Sequence, residues 1–174
     1  MGICSINELI ELYGKDIYSF CRRITYSEFD AEELYQDTFL KAVEVHNRID
    51  KNNNPKSFLL SVAVSLWKNK QRKFARRERI APTNSIDAED NITEPSHLET
   101  PEAVMLKNEL EQKVNHAVSE LDEKFRIPVV LYYSSQMSID EIAEVIKCPK
   151  GTVKSRLFKA REILKEKLEV YTID

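Results

Sequence analysis

The side chains best suited to chemistry in this sequence lie near its C-terminal end, between residues 150 and 161. Val153, Leu157, Ala160 and Leu164 recur there at helical spacing and predict one inward face. The side chains between them are basic, hydroxyl-bearing or aromatic, and such groups suit base edges and phosphates in a DNA major groove. The candidate DNA-contacting residues are Lys150, Thr152, Lys154, Ser155, Arg156, Phe158 and Lys159.

In a helix-turn-helix, a short helix precedes the helix that enters the DNA groove. Ser138 and Glu141 have the spacing of a capping box, which predicts a helix start. Residues 147–150 (Lys-Cys-Pro-Lys) end that helix, and Gly151 and Thr152 open the next one. The pattern predicts a helix-turn-helix whose second helix enters duplex DNA. A helical hairpin with a solvated basic face is the alternative interpretation.

The charge of the chain is unevenly distributed. The net charge over 174 residues is −3, which is unusual for a DNA-binding protein because backbone affinity comes from Lys and Arg. Basic residues cluster at 68–79 and 147–167, whereas acidic residues collect in the first forty positions and at 87–102. A local basic patch decides DNA binding more than the total does. We therefore expect weak DNA binding by the chain alone and a need for a partner.

Several functional classes are disfavoured by composition. Three glycines cannot build a glycine-rich phosphate loop, and no nucleophile–base pair or paired-carboxylate site is evident. We expect no enzyme activity, no cofactor and no metal. No signal peptide and no membrane-spanning stretch are visible, so we expect a soluble, cytoplasmic protein without membrane insertion. The cysteines and histidines lack disulfide or ligand spacing, and they are Cys4, Cys21, Cys148, His46, His97 and His116.

Helix-start signals recur in the first eighty residues. Ser5 and Glu8 predict the first helix, and Asp30 with Glu33 predicts the start of the second. A polar loop follows at 46–56, in which Asn54 caps and Pro55 opens a third long helix. Further along, Asp122 can cap a helix that Pro128 interrupts and kinks.

The composition changes at residue 80. No Lys or Arg occurs from Ile80 to Leu106, and Pro82, Pro95 and Pro101 punctuate an acidic stretch. Such a segment cannot bury enough apolar surface to fold alone. The predicted fold is all-α, with two small helical domains at 1–79 and 101–174 joined by a flexible acidic linker at 80–100. The C-terminal domain contains the helix-turn-helix.

Three stretches resemble the extracytoplasmic-function (ECF) sigma factors. Residues 31–42, AEELYQDTFLKA, resemble the polymerase-binding helix of that family. Residues 57–73, SFLLSVAVSLWKNKQRK, are similar to its promoter-melting helix. Residues 121–168, which include GTVKSRLFKAR, look like its fourth domain. The resemblance implies a factor that binds core RNA polymerase and directs it to promoters, with an anti-sigma factor as a further expected partner.

The resemblance also assigns residues to the polymerase contact. One helix cannot bury all of the matching side chains in a small core, so some of them must face outward. Gln36, Asp37 and one apolar neighbour suit an interface, and the alternative for Leu34 and Phe39 is core packing. The matching residues are Leu34, Gln36, Asp37, Phe39 and Leu40.

By the same resemblance the first domain recognises and opens the −10 element, while the fourth reads the −35 element as duplex. Asparagines in the 46–56 loop can read base edges, although a simple turn also favours asparagine. The candidate −10 residues are Asn52, Asn53, Asn54, Ser65, Lys68, Asn69 and Arg72.

Two departures from the family pattern bear on these roles. Ser65 stands where asparagine is usual, which puts the −10 sequence preference in doubt. Lys147 stands where glycine is common, and it carries a small backbone cost if its φ is positive.

A second function remains open from the residues alone. A free-standing helix-turn-helix regulator would bind operator DNA without polymerase, usually through a dimer surface or a ligand pocket. The N-terminal half of this sequence offers neither clearly.

Overall fold

In the computed structural model the described residues are 5–45, 49, 53–80 and 101–170, and side chains are described for all of these except 101–107 and 170. Within these ranges the chain is all-α, as the sequence predicts. Most of the predicted linker, from residue 81 to 100, lies outside the described residues. The helices are α1 (Ile6–Ile24), α2 (Glu28–Glu44), α3 (Pro55–Ile80), α4 (Pro101–Ser119), α5 (Glu123–Val129), α6 (Ile139–Ile146) and α7 (Lys150–Val170), with a π-helical turn at Val130–Ser134.

The first helix begins with the predicted capping box. The Ser5 hydroxyl accepts from the Glu8 amide at 3.2 Å, and the Glu8 carboxylate accepts from the Ser5 amide at 3.1 Å. These bonds satisfy two amides that the helix itself cannot pair. The apolar stripe of α1 is buried, including Ile17, Phe20 and Ile24.

The second helix begins three residues earlier than predicted. Ser27, not Asp30, is its N-cap, because the Ser27 hydroxyl accepts from the Asp30 amide at 3.1 Å. Asp30 instead lies in the first turn, where a carboxylate is favoured by the helix dipole. Its carboxylate accepts from Lys70 of α3 at 2.7 Å, and Glu33 accepts from the same ammonium group. This pair of contacts ties α2 to α3.

The third helix starts as the sequence predicts. The Asn54 side-chain oxygen accepts from the Ser57 amide at 3.1 Å, and Pro55 occupies the first helical position. Leu59, Ala63 and Trp67 form its buried face. Trp67 is 1 % exposed, which confirms the core role expected for this side chain.

Pro128 distorts the chain as predicted. It lies inside α5 and has no amide hydrogen to donate, so the helical ladder is interrupted there. The chain continues as the π-helical turn, in which the Ser135 amide donates to the Val130 carbonyl at 3.1 Å. Such a turn redirects the chain toward α6.

The helices of the N-terminal half and those of the C-terminal half share one continuous apolar core. α3 packs against α6, and α1 packs against the π-helical turn. Buried residues from both halves, such as Ile24 and Trp67 from the first and Leu131 and Ile142 from the second, belong to the same apolar cluster. The first three helices and the helix-turn-helix are therefore in direct contact.

Candidate nucleic-acid interface

The helix-turn-helix is fixed by its local capping. The Ser138 hydroxyl accepts from the Glu141 amide at 3.2 Å, and a Glu141 carboxylate oxygen accepts from the Ser138 amide at 2.8 Å. These bonds favour the charged carboxylate and hold the pKa of Glu141 below its usual range, with a further contribution from Asn54. The start of α6 is therefore as the sequence predicts.

Lys147 makes the turn between α6 and α7. Its φ is 55° and its ψ is 55°, a left-handed conformation that glycine adopts more easily. The Cys148 amide then donates to the Ala143 carbonyl at 3.0 Å, which closes the end of α6. Lys147 thus carries the backbone cost expected of a non-glycine residue at this position.

The second helix of the motif has one buried and one outward face. Val153, Leu157 and Ala160 are at most 2 % exposed, so they anchor α7 in the core. The intervening side chains point outward, and Phe158 is 63 % exposed. Lys150, Lys154, Ser155 and Lys159 are exposed, while Thr152 and Arg156 are half-buried. All seven candidate residues for duplex DNA therefore lie at least partly on the accessible side of one helix.

Three of these side chains have partners within the protein. Lys150 pairs with Asp140 at 2.7 Å, and Lys159 pairs with Glu162 at 3.1 Å. Exposed pairs of this kind contribute only about 0–1 kcal/mol, so a phosphate can replace the carboxylate. The Ser155 hydroxyl donates to the Thr152 carbonyl at 3.0 Å and would have to rotate to contact a base.

A second group of polar side chains lies along α3 and the residues before it. Ser65 and Asn69 are four residues apart on the helix and both are exposed, as is Arg72. Asn53 and Asn54 are exposed just before the first turn of α3. Asn52 lies outside the described residues. The described members of the predicted −10 set thus line one side of α3.

Two members of this α3 group contact the helix-turn-helix. The Asn54 amide donates to a Glu141 carboxylate oxygen at 2.7 Å, and the Lys68 ammonium donates to the Ile146 carbonyl at 3.4 Å. Burial lowers the pKa of Lys68, and the positive charges of Arg156 and Arg72 lower it further, although Glu123 opposes them. No pattern in the sequence predicts that the two polar faces meet.

The candidate polymerase residues on α2 divide into two sets. Leu34 is 3 % exposed and Phe39 is 6 % exposed, so both pack in the core beneath the helix. Core packing, the alternative stated for these two residues, is what the geometry supports. Gln36 and Asp37 are exposed, and Leu40 is 62 % exposed beside them. The accessible surface of α2 is therefore formed by two polar groups and one apolar neighbour.

Comparisons with known proteins agree with this geometry. The family described as Sigma-70 region 2 matches residues 9–78, and the family described as Sigma-70, region 4 matches residues 111–164. The ECF RNA polymerase sigma-E factor of Haemophilus influenzae is 31% identical over 170 residues, covering 95% of this chain and 88% of that protein. The RNA polymerase sigma-H factor of Pseudomonas aeruginosa is 30% identical over 166 residues, covering 92% and 84%.

This chain belongs to the ECF sigma factors. It directs transcription initiation, which decides against the free-standing operator-binding regulator. The fold is also similar to that of the sigma factor RpoE from Bartonella quintana, solved in complex with the anti-sigma factor NepR. That structure has a TM-score of 0.78 and 23% identity, covering 94% of this chain and 96% of that one.

Sequence reasoning missed two aromatic–arginine contacts in this sigma factor. The Arg161 Nε donates to the Tyr133 hydroxyl at 2.7 Å, which holds an arginine of α7 against the π-helical turn. Arg126 is fully buried and donates to the Tyr26 hydroxyl at 2.9 Å and the Ser119 carbonyl at 2.8 Å. The sequence did contain one sign of the Arg126 contact. Arg126 lies between the apolar residues Phe125 and Ile127, and a charged side chain buried among apolar residues needs a polar partner.

Proposed function

We propose that this sigma factor consists of a domain at 1–79, a linker at 80–100 and a domain at 101–174. Each domain uses its own polar face to recognise one promoter element. The C-terminal domain reads the −35 element as duplex, and the N-terminal domain recognises and opens the −10 element. The chain has no catalytic activity of its own and works in the cytoplasm. No helix within the described ranges has the length and apolar character needed to cross a membrane.

One observation carries the −35 assignment. The outward side of α7 presents Lys154, Ser155, Arg156, Phe158 and Lys159, while its opposite side is anchored in the core. Arg and Ser donate to or accept from base edges, and the two lysines suit phosphates. The rigid attachment of α7 means that these groups enter a groove as a set.

The −10 assignment rests on the side of α3. Asn53, Asn54, Ser65 and Asn69 offer hydrogen-bonding groups to unpaired bases, and Arg72 offers charge to the strand. Asn52 and Lys68 complete the proposed set. Ser65 replaces the asparagine usual in the family, so the −10 sequence preference of this member differs from that of its relatives.

We place the polymerase contact on the exposed side of α2. Gln36, Asp37 and Leu40 form a small accessible surface in which an apolar side chain lies beside two polar ones. Leu34 and Phe39 pack in the core beneath this surface and fix the position of α2. An anti-sigma factor is a further proposed partner, in line with the partner of the Bartonella quintana protein.

Run-off transcription tests this proposal most directly. The full chain is mixed with core RNA polymerase and fragments of its own genome, and the transcripts are mapped to their start sites. We expect starts that share a common pair of −35 and −10 elements. Transcripts without a shared pair, or none above the core-only control, would contradict the proposal.

A further inference from the structure

Arg161 lies on the outward side of α7, further along the helix than the residues proposed to read the −35 element. It is exposed, and it follows Lys154 and Phe158 at the i, i+4 and i+7 positions of one helical stripe. Seven residues of an α-helix span about 10.5 Å, so Arg161 lies about that far along the helix axis from Lys154. The accessible stripe of α7 therefore continues past Phe158 to an arginine.

This position on α7 decides what Arg161 can contact. A recognition helix contacts base edges mainly with its N-terminal residues, and the major groove of B-form DNA is about 12 Å wide. A side chain about 10.5 Å further along the helix than Lys154 reaches the edge of that groove, where the phosphates lie. A guanidinium group is well suited to them, because its planar set of N–H donors matches the geometry of a phosphate.

The π-helical turn holds the Arg161 side chain in one orientation. The Arg161 Nε donates to the Tyr133 hydroxyl at 2.7 Å, and the guanidinium carbon lies 5.9 Å from the ring centroids of both Tyr132 and Tyr133. Among the described residues this bond uses only Nε, so both Nη groups remain as donors for a ligand. A side chain that is already ordered loses less conformational entropy when it binds.

The hydroxyl that holds Arg161 accepts a hydrogen bond without carrying a charge. A carboxylate in its place would also form an ion pair with the guanidinium. Within the part of the chain that the structure describes, no carboxylate pairs with Arg161, and the adjacent Glu162 pairs with Lys159 at 3.1 Å instead. The positive charge of Arg161 is therefore available to a phosphate.

We propose that Arg161 contacts a DNA phosphate at the edge of the −35 groove, and that Tyr133 is a positioning residue that orients Arg161 without pairing its charge. The contact strengthens promoter binding but carries no sequence information, because phosphate contacts fix the position of a protein and base contacts read the sequence. The inference rests on the −35 role proposed above for α7.

A salt titration of the reconstituted holoenzyme measures the phosphate contact. The probe is a fluorescein-labelled duplex that carries a promoter mapped by run-off transcription, and its anisotropy is followed from about 50 to 200 mM salt. Each phosphate contact contributes about 0.9 to the slope of log affinity against log salt. Arg161→Ala should reduce the slope by about this amount, so over this range it should lose about 3.5-fold less affinity than the wild type. Lys113→Ala, which removes an exposed charge from α4, is the control and should leave the slope unchanged.

Two substitutions of Tyr133 separate positioning from a merely structural contact. Tyr133→Phe keeps the ring but removes the acceptor. If the released guanidinium points toward the phosphate about a third of the time, the apparent affinity falls about three-fold. Tyr133→Glu keeps an acceptor but pairs the charge of Arg161, so the slope should fall by about 0.9. A merely structural role predicts no fall, because a carboxylate holds an arginine at least as firmly as a hydroxyl does.

Two controls show whether Tyr133 acts through Arg161. In the Arg161→Ala background, Tyr133→Phe should have no further effect on promoter affinity. Ser134→Glu adds a carboxylate at the next exposed position without replacing the Tyr133 hydroxyl, and it should change the slope much less than Tyr133→Glu does. Urea denaturation of every variant confirms that each one is folded under the binding conditions.

Different results would overturn different parts of the inference. An unchanged salt slope for Arg161→Ala removes the phosphate contact. A full effect of Tyr133→Phe in the Arg161→Ala background removes the positioning role, and equal slopes for Tyr133→Glu and Ser134→Glu remove the importance of a neutral acceptor.

Variation of each −35 position separates the inference from the proposed function on which it rests. Arg161→Ala should bind all promoters more weakly and keep the sequence preference of the wild type. A changed preference at one base pair would mean that Arg161 reads a base, which contradicts the phosphate contact while the −35 role of α7 stands. A wild-type holoenzyme without any −35 preference would remove that role, and the inference with it.

Discussion

The guanidinium carbon of Arg126 lies 4.6 Å from the centroid of the Tyr26 ring, and its Nη2 donates to the Tyr26 hydroxyl at 2.9 Å. The two residues are 100 positions apart in the sequence. Tyr26 belongs to the connection between α1 and α2, whereas Arg126 belongs to α5. One cation–π and hydrogen-bonding contact therefore links the two halves of the chain.

A double-mutant cycle should detect this link as a coupling free energy. Arg126→Met keeps much of the side-chain volume but leaves the Ser119 carbonyl without its donor, so we expect it to lower the free energy of unfolding by roughly 1–3 kcal/mol. Tyr26→Phe keeps the ring and should cost about 1 kcal/mol or less. Urea denaturation of the single and double variants gives the coupling. Strictly additive effects would mean that the two side chains do not interact in solution.

The free chain should bind promoter duplex weakly, because its net charge is −3 and its basic side chains are confined to patches. Core polymerase should produce stable, promoter-specific binding. Gel-shift titrations at physiological salt, with and without core enzyme, measure both. Tight and specific binding by the chain alone would argue against dependence on polymerase.

Gln36→Ala combined with Asp37→Ala should weaken association with core polymerase while leaving the helical content unchanged. Both side chains are exposed on α2, so their removal should alter stability by no more than about 0.5 kcal/mol each. Competition against a labelled sigma factor measures the affinity. Glu111→Ala combined with Gln112→Ala is the matched control, because it removes the same kinds of exposed groups from α4. Equal affinity of the two double variants would place the polymerase contact elsewhere.

Cys21 should resist thiol reagents until the protein unfolds. It is fully buried in α1, and burial raises the pKa of its thiol to about 12. At pH 8 the side chain is therefore protonated as well as covered, and only the thiolate reacts. The experiment uses a chain with Cys4→Ser and Cys148→Ser, labelled by iodoacetamide across a urea series and followed by mass spectrometry. Labelling should rise together with the loss of helical signal, and rapid labelling without urea would contradict the burial.

The parts of the fold that depend on local chemistry were predictable. The capping boxes at Ser5 and Ser138 and the Asn54–Pro55 start all follow from the preference of particular residues for particular backbone positions. The start of α2 was placed at Asp30 because an acid at that spacing resembles a cap, but the Ser27 hydroxyl accepts from the Asp30 amide and starts the helix earlier. Local patterns give the elements more reliably than their ends.

Relationships between distant segments were not predictable in the same way. Helical periodicity identified the buried face of α7, since Val153, Leu157 and Ala160 recur at the right spacing. It could not separate Leu34 and Phe39 from Leu40, because a short amphipathic helix offers several apolar residues and only packing decides which are covered. The contact of α3 with α6 has no periodic signature at all.

Substitutions on α7 should separate sequence reading from general affinity. Ser155→Ala and Arg156→Ala remove groups that can contact base edges, and each such contact is worth roughly 1–3 kcal/mol of discrimination. Lys159→Ala removes a charge suited to phosphate, so it should weaken binding to all promoters alike and reduce the salt dependence. The measurement is transcription by the reconstituted holoenzyme from promoters in which each −35 position is varied in turn, at two salt concentrations. Glu169→Ala serves as a control, because this exposed residue lies near the other end of α7. If the Ser155 and Arg156 variants keep the sequence preference of the parent while losing activity uniformly, those side chains position the helix and the bases are read from another face.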